Sequence, residues 1–407
     1  MEHELKRTEE GVLRVYQQVN PSAIPIEKRD EFERQNESMI TLFRDRLKFP
    51  LKMFKDAKLL DFGSGTGEKC TFYAMQGAKL TCVEMNPLAL ERARQLFGQF
   101  GVMGNIERIH NCSLFDFDAG DKRFDIVTSM GVLHHTQDPR RGFNNLVKYL
   151  SPGGHVVIVI GNVAGGFQRN LQRLILYQLA KGDEAEMVRL ALALFPDHIE
   201  RAVKAVGRTK EAMVYDSFIN PKIRYVSITE LLEWFTDNNI RFYSSWPPLH
   251  FPTPFADSSR TEPIHFEQEA FRNLLSFPEL FWMMADRYDK DVLLEQKEPL
   301  EKLGKQLDAF TRGLNDVTPE SAGVFDMGHF AEMLRTIQAD RTFEKAVTVN
   351  NTSSLFLAEV ADLIQMLRSG KDAEEIGKKI QTYHMLFRGS CGLGLMSVIG
   401  YKQENKG

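Results

Sequence analysis

Five short apolar runs, separated by helix-patterned or polar segments, constrain this chain more than any other feature. They are AKLLDFG (57–63), AKLTCVEMN (78–86), IERIHNCS (106–113), FDIVTSMG (124–131) and HVVIVIGN (155–162). A helix follows the glycines after the first run. PLALERARQLFGQF (87–100) has Pro87 near its first turn, where proline is tolerated, and RRGFNNLVKYL (140–150) closes on Ser151-Pro152-Gly153-Gly154. Strands alternating with helices predict a doubly wound, mostly parallel α/β sheet. The fifth run is apolar enough to be buried on both faces. Ligands of such sheets bind outside the carboxyl ends of the strands, so the loops after Asp61, Glu84, Cys112, Ser129 and Ile160 share one edge.

The flanking segments complete the expectation. Phe32, Met39, Ile40, Phe43 and Leu47 recur at helical spacing over residues 29–47, with Pro50 marking the end. Residues 163–226 read as mainly helical. Ser227 and Glu230 stand at capping-box spacing before the helix ITELLEWFTDN. IRFYSSW (240–246) predicts a sixth strand and GLGLMSVIGYK (392–402) the last one. The sheet is therefore expected to have seven strands. We expect an N-terminal helical cap at 1–50, a sheet domain at 51–248 plus 389–407, and a helical insertion or lid at 249–388. PLEKLGKQLDAF (299–310) and SSLFLAEVADLIQML (353–367) are the clearest helices of that insertion, the first a solvated amphipathic one. SWPPLHFPTP (245–254) either borders a pocket or joins sheet to insertion.

Bulk properties exclude some roles. A formal net charge of −4 and a pI near 6.2 argue against a nucleic-acid partner. No stretch approaches the roughly 20 apolar residues of a membrane span. MEHELKRTEEG lacks the apolar region of a signal peptide. Cys70, Cys82, Cys112 and Cys391 form no C-x-x-C pair and read as reduced thiols. The expectation is a cytoplasmic protein.

LLDFGSGTGEKC (59–70) carries Gly63, Gly65 and Gly67 directly after the first strand. A dinucleotide turn, G-x-G-x-x-G, would place its third glycine at 68, where Glu68 stands. Asp61 and Glu68 would repel a pyrophosphate and attract an ammonium group. Glu84 ends the second strand, where an acid accepts hydrogen bonds from ribose hydroxyls. These requirements describe a nucleoside with a cationic tail and no phosphates, which is the composition of S-adenosylmethionine (SAM).

The motif LLDFGSGTGEKC resembles the glycine-rich first motif of class I SAM-dependent methyltransferases. MGVLHHTQDPRRGFNNLVKYLSPGG (130–154) is similar to the fourth-strand region of the branch reading G-V-L-H-H-T-x-D-P and later L-x-P-G-G. With VEMN, the resemblance spans roughly residues 55–160; DSFINP (216–221) and the helix after it are a looser likeness. The resemblance implies that Asp61 and the backbone of Gly63, Ser64, Gly65 and Gly67 hold the methionine end. It implies that Glu84 binds the ribose, that Met85 packs on adenine, and that Met130 and Gly131 line the methionine side. The loop after the third strand usually offers an acid to the adenine amino group; Ser113 stands there, followed by Leu114, with Asp116 as a substitute.

His134 and His135 are candidates for a general base, since histidine can take a proton from a hydroxyl or amine at neutral pH. Adjacent residues of a helix point about 100° apart, so the pair is poorly placed to chelate one metal. Tyr215, Asp216 and Tyr225 either contact an acceptor or belong to a turn around Pro221. A sulfonium methyl is already activated, so the protein must mainly align the reactants and exclude water. The long helical cover suggests a small, enclosed acceptor. A tRNA- or protein-modifying methyltransferase and a non-catalytic SAM-binding interaction protein stay open as other classes.

Overall fold

The computed structural model describes residues 2–19, 24, 27–206, 209–249, 297–340, 353–388 and 394–404. Cys391, the start of the last apolar run, the end of SWPPLHFPTP and part of the expected insertion lie outside them. Seven strands form one sheet: β1 (Lys58–Phe62), β2 (Lys79–Glu84), β3 (Ile106–Asn111), β4 (Phe124–Met130), β5 (Leu150–Gly161), β6 (Ile240–Trp246) and β7 (Leu395–Lys402). Their order is β3-β2-β1-β4-β5-β7-β6, and β7 runs antiparallel to the other six. This is the seven-stranded, mostly parallel sheet expected from the sequence. β1, β4 and β5 are buried along nearly their whole length, whereas β3, at one edge, alternates between partly buried and exposed positions. Strand order reverses between β1 and β4, which opens a crevice at their carboxyl ends.

Two boundaries differ from expectation. The helix read as 140–150 ends at Val147, because Leu150 already pairs with Phe124. The register then jumps to Ile126 opposite His155, so Ser151-Pro152-Gly153-Gly154 bulges out within β5 instead of preceding it. Over 29–47 the helix Arg29–Ile40 widens into a π turn at Thr41–Arg46, keeping Phe32, Met39, Phe43 and Leu47 buried.

Helices flank the sheet. We number them α1 (Glu2–Val19), α2 (Arg29–Ile40), α3 (Glu68–Met75), α4 (Pro87–Gln99), α5 (Pro139–Val147), α6 (Phe167–Ala180), α7 (Glu184–Leu194), α8 (Pro196–Val206), α9 (Lys210–Val214) and α10 (Ile228–Asp237). In the carboxyl-terminal half follow α11 (Lys297–Arg312), α12 (Met327–Gln338), α13 (Ser353–Arg368) and α14 (Ala373–Ile380). Phe167 and Leu174 of α6 share one apolar core with Phe310 of α11, Phe330 of α12 and Phe356 of α13. The helical layer thus draws on residues before β6 as well as after it. Polar ties join it to the sheet domain. Asn315 donates to the Tyr225 carbonyl (2.8 Å) and accepts from the Tyr225 amide (3.0 Å). Ser227 caps α10 by accepting from the Glu230 amide, while the Glu230 carboxylate pairs with Arg312 at 2.9 Å. No helix among the described residues is long and apolar enough to cross a membrane.

Candidate functional site

The turn after β1 is stitched to β2 by two backbone bonds, from Gly63 and Ser64 amides to the Val83 carbonyl (2.8 and 3.1 Å). Gly63, Gly65 and Gly67 all have positive φ, at 75°, 54° and 89°, where glycine avoids the cost of a Cβ. Their surroundings differ. A Cβ on Gly63 would lie 2.3 Å from Val132, and one on Gly67 2.8 Å from Ala93 of α4. A Cβ on Gly65 would meet nothing within 4 Å among the described residues, so that side of the turn stands open to an incoming group.

Glu84 closes this turn from below. One carboxylate oxygen accepts from the Gly65 amide (2.9 Å) and the other from the Asn86 amide (2.8 Å). Burial raises its pKa from the ordinary glutamate value, with the Asn86 and Gly65 amides opposing. Asn111 at the end of β3 fixes the next loop by donating to the Glu84 and Met85 carbonyls, both at 3.0 Å.

A cavity of about 190 Å³ lies over this turn. Gly63, Ser64, Gly65, Glu84, Met85 and Met130, all named from the sequence, line it. So does His135. Its polar end holds Thr66 and Lys69, whose ammonium donates to the Met130 carbonyl at 2.6 Å. The Ser64 hydroxyl is buried there and has no partner among the described residues. A smaller cleft of about 70 Å³ continues past Glu84 and Met85, between Val83, Cys112, Leu114 and Val132.

The roof comes from α1, which lies inside the helical cap expected at 1–50 but was not itself read as a helix. Val12, Leu13 and Tyr16 of α1 line the main cavity. The helix is held along its length: Thr8 donates to Gln137 (3.0 Å), Ser113 donates to Glu9, Tyr16 donates to Asp216 (3.1 Å), and Gln18 donates to the Tyr215 hydroxyl (3.4 Å). Its signal was present: Leu5, Val12 and Tyr16 recur at helical spacing behind a charged surface. Lys69 was also missed, although it sits two residues after the last glycine.

Other candidate residues sit away from the cavity. Asp61 lies beneath the turn, 3% exposed, accepting from Thr128 and from the Cys70 thiol (3.1 Å). Burial raises its pKa, and the bonds from Thr128 and Cys70 oppose that rise. Gly67 serves α3–α4 packing. Tyr215 and Asp216 anchor α1. Tyr225 is buried against Gly161 and Gly166, where a Cβ on either would meet its ring at 2.1 or 2.3 Å.

The two histidines have different environments. His134 is buried and its Nδ1 accepts from the Gly161 amide at 3.2 Å, so the ring proton is on Nε2. Burial drives its pKa well below the usual histidine value, with the neighbouring His135, Arg169 and Lys69 adding to the effect. His135 faces both cavities, meets the Tyr16 ring edge-on, and lies 3.1 Å through Nδ1 from the Lys222 carbonyl. A carbonyl only accepts, so Nδ1 carries the proton and the basic lone pair of the neutral ring is on Nε2. Among the described residues no group of three or more His, Cys, Asp or Glu side chains could hold a metal ion.

Residues 60–158 match a family described as a methyltransferase domain. Over 221 residues the chain is 25% identical to an uncharacterized protein of Synechococcus sp., covering 51% of this chain and 50% of that one. Over 121 residues it is 32% identical to the mitochondrial ubiquinone biosynthesis O-methyltransferase of Schizosaccharomyces pombe, covering 30% and 42%. Among solved structures, PKMT2 from Rickettsia typhi in complex with AdoHcy aligns with a TM-score of 0.39 and 16% identity, over 51% of this chain and 43% of that one. The chain thus spans half or less of the length of these relatives.

Proposed function

We propose that this protein is a SAM-dependent methyltransferase that passes a methyl group to a small-molecule acceptor by direct in-line displacement. We assign it to the branch marked by G-V-L-H-H-T-x-D-P, which it carries at residues 131–139. The observation that carries the reading is one cavity in which an open glycine turn, a strand-end carboxylate and a buried hydroxyl with no partner among the described residues face the same space. The relative named as a ubiquinone biosynthesis O-methyltransferase supports a small acceptor with an oxygen nucleophile.

When bound, SAM supplies a methyl group activated by its sulfonium. The residues fit such a ligand. The Glu84 carboxylate would accept from the ribose hydroxyls. Lys69 offers a cation, and Ser64 a hydroxyl, to a carboxylate at the polar end. The α1 roof, with Val12, Leu13 and Tyr16, would exclude water from the transfer. His135 is the residue positioned to take a proton from a hydroxyl acceptor, its ring oriented by the Lys222 carbonyl. Once the proton is removed, the protein's remaining task is alignment.

The test is titration of SAM, S-adenosylhomocysteine and NAD into the purified protein by calorimetry, with Glu84→Ala alongside. Micromolar binding of the two adenosyl ligands alone, lost or weakened about 100-fold in the variant, is the expected result. Binding of NAD, or equal adenosyl binding by the variant, would remove the reading. Full SAM affinity with no turnover across acceptor panels would favour a non-catalytic SAM-binding protein. Turnover on tRNA or protein alone would favour a macromolecular acceptor.

A further inference from the structure

The cavity has two ends, and Glu84 lies between them. Ser64, Thr66 and Lys69 line the first end alone; Val83, Cys112 and Leu114 line the second alone. Glu84, Met85 and Val132 border both. A nucleoside whose ribose is held at Glu84 must send its tail one way and its base the other. A charged amino-acid tail belongs with Lys69 and Ser64. A flat, weakly polar base belongs in the cleft between Val83, Leu114 and Val132, where its faces are desolvated by apolar side chains.

An adenine in that cleft carries its exocyclic amine on the edge, and a desolvated amine needs an acceptor. Among the described residues lining the second cleft, two carry carboxylates: Glu84 and Glu9. Glu84 borders both ends and is the carboxylate for the ribose between them. Glu9 does not belong to the sheet domain at all. It comes from α1, and Ser113, two residues past the end of β3, donates to its Oε1. The Ser113 hydroxyl also accepts from the Phe115 amide at 3.0 Å, so the serine is oriented by its own loop and presents its proton to Glu9.

We propose that Glu9, held at the rim of the apolar cleft by Ser113, is the acceptor for the exocyclic amine of the adenine base. The cofactor site is thereby completed by the amino-terminal helix, and the roof of the cavity reads the base. This rests on the reading of the cavity as an adenosyl site. The uncharged Ser113 then acts as a positioning residue that brings in a charge from another element.

The test compares S-adenosylhomocysteine with S-inosylhomocysteine, in which a carbonyl oxygen replaces the amine, by calorimetry on the full chain. A carboxylate accepts from the amine and repels the carbonyl, so the wild-type protein should prefer the adenosyl ligand by about ten-fold or more. In Glu9→Gln the adenosyl ligand should weaken about ten-fold and the preference should collapse towards one, because an amide can donate as well as accept. Ser113→Ala should lower the preference part of the way, since the carboxylate remains but is no longer held at the rim. A role of Glu9 confined to holding α1 would weaken both ligands alike and leave the preference intact, which would overturn the proposal, as would an unchanged adenosyl affinity. Thermal unfolding of each variant separates loss of fold from loss of recognition, and Glu9→Ala supplies a second variant. If the wild-type protein binds neither ligand, the adenosyl reading itself fails and the assignment of Glu9 falls with it; if it binds both equally, only the assignment falls.

Discussion

The Tyr16 hydroxyl donates to Oδ1 of Asp216 across 3.1 Å, joining the amino-terminal helix to a segment two hundred residues later in the chain. The same tyrosine lines the cavity and meets the His135 ring edge-on, with centroids 6.0 Å apart. One side chain therefore couples the docking of α1 to the shape of the site. In Tyr16→Phe the ring contact stays and the hydrogen bond goes, a net loss of about 1 kcal/mol. That loss should appear in local opening of residues 2–19, not in global unfolding. Faster amide exchange over α1, an unchanged denaturation midpoint and about five-fold weaker adenosyl affinity are the expected results. A lowered midpoint with unchanged exchange in α1 would mean that the bond supports the core and not the roof.

Two glycines of one turn should respond differently to the same substitution. At Gly63, φ is +75° and an added Cβ would meet Val132 at 2.3 Å. Left-handed backbone costs an L-residue about 1–2 kcal/mol, and overpacking adds about 1–3. Gly63→Ala should therefore lower the unfolding midpoint markedly. Gly65→Ala has similar backbone strain, but its Cβ would meet no described residue within 4 Å. It should stay folded, with a smaller shift in midpoint, and lose adenosyl affinity because its methyl group occupies the open approach. Calorimetry and thermal unfolding on the pair distinguish the two effects.

What was legible follows from where the physics is local. β1, β4 and β5 are buried on both faces, so their apolar runs stand out against the helices. The turn at 63–67 needs positive φ three times in five residues, and only glycine makes that cheap. Residues 2–19 were harder to read because a roof helix shows water most of its surface; the apolar stripe of Leu5, Val12 and Tyr16 is narrow and its charges dominate the composition. Glu9 and Tyr16 owe their roles to Ser113 and Asp216, partners 104 and 200 residues away, and no local pattern encodes such distances. The Leu150 pairing that displaced the start of β5 has the same origin. It is decided by Phe124 on another strand.

Acid stability should carry the mark of a histidine far from the cavity. His198 is 6% exposed, and burial lowers its pKa from 6.5 to about 3, with Arg169 and Arg201 adding to the effect. The folded-state value is depressed, so the stability tied to the neutral ring is present above pH 6.5 and is lost as pH falls towards 3. Each pH unit in that window costs up to about 1.4 kcal/mol for one proton. His134 titrates in the same sense, so the whole-protein slope contains both. His198→Asn can keep an acceptor for the Gln172 amide, which lies 3.4 Å from Nδ1 in the wild type. Urea unfolding between pH 7 and 5 should give the variant a shallower pH slope by up to one proton. Equal slopes would mean that His198 gains solvent before the protein unfolds.

Adjacent histidines should divide between structure and chemistry. His134 is buried, accepts from the Gly161 amide and is held neutral by its surroundings. Removing it in His134→Ala leaves that amide unpaired, a cost of about 1–3 kcal/mol in stability. His135 faces the cavity, with Nδ1 turned to the Lys222 carbonyl and the basic nitrogen on the other side of the ring. His135→Ala should keep adenosyl affinity within about three-fold and lower kcat on an oxygen acceptor by about 100- to 10,000-fold, the range for loss of a general base. An acceptor supplied as a thiolate needs no proton removed, so its turnover should fall much less in the same variant. Equal loss on both acceptor types would assign His135 to positioning, and loss in His134→Ala alone would reverse the division.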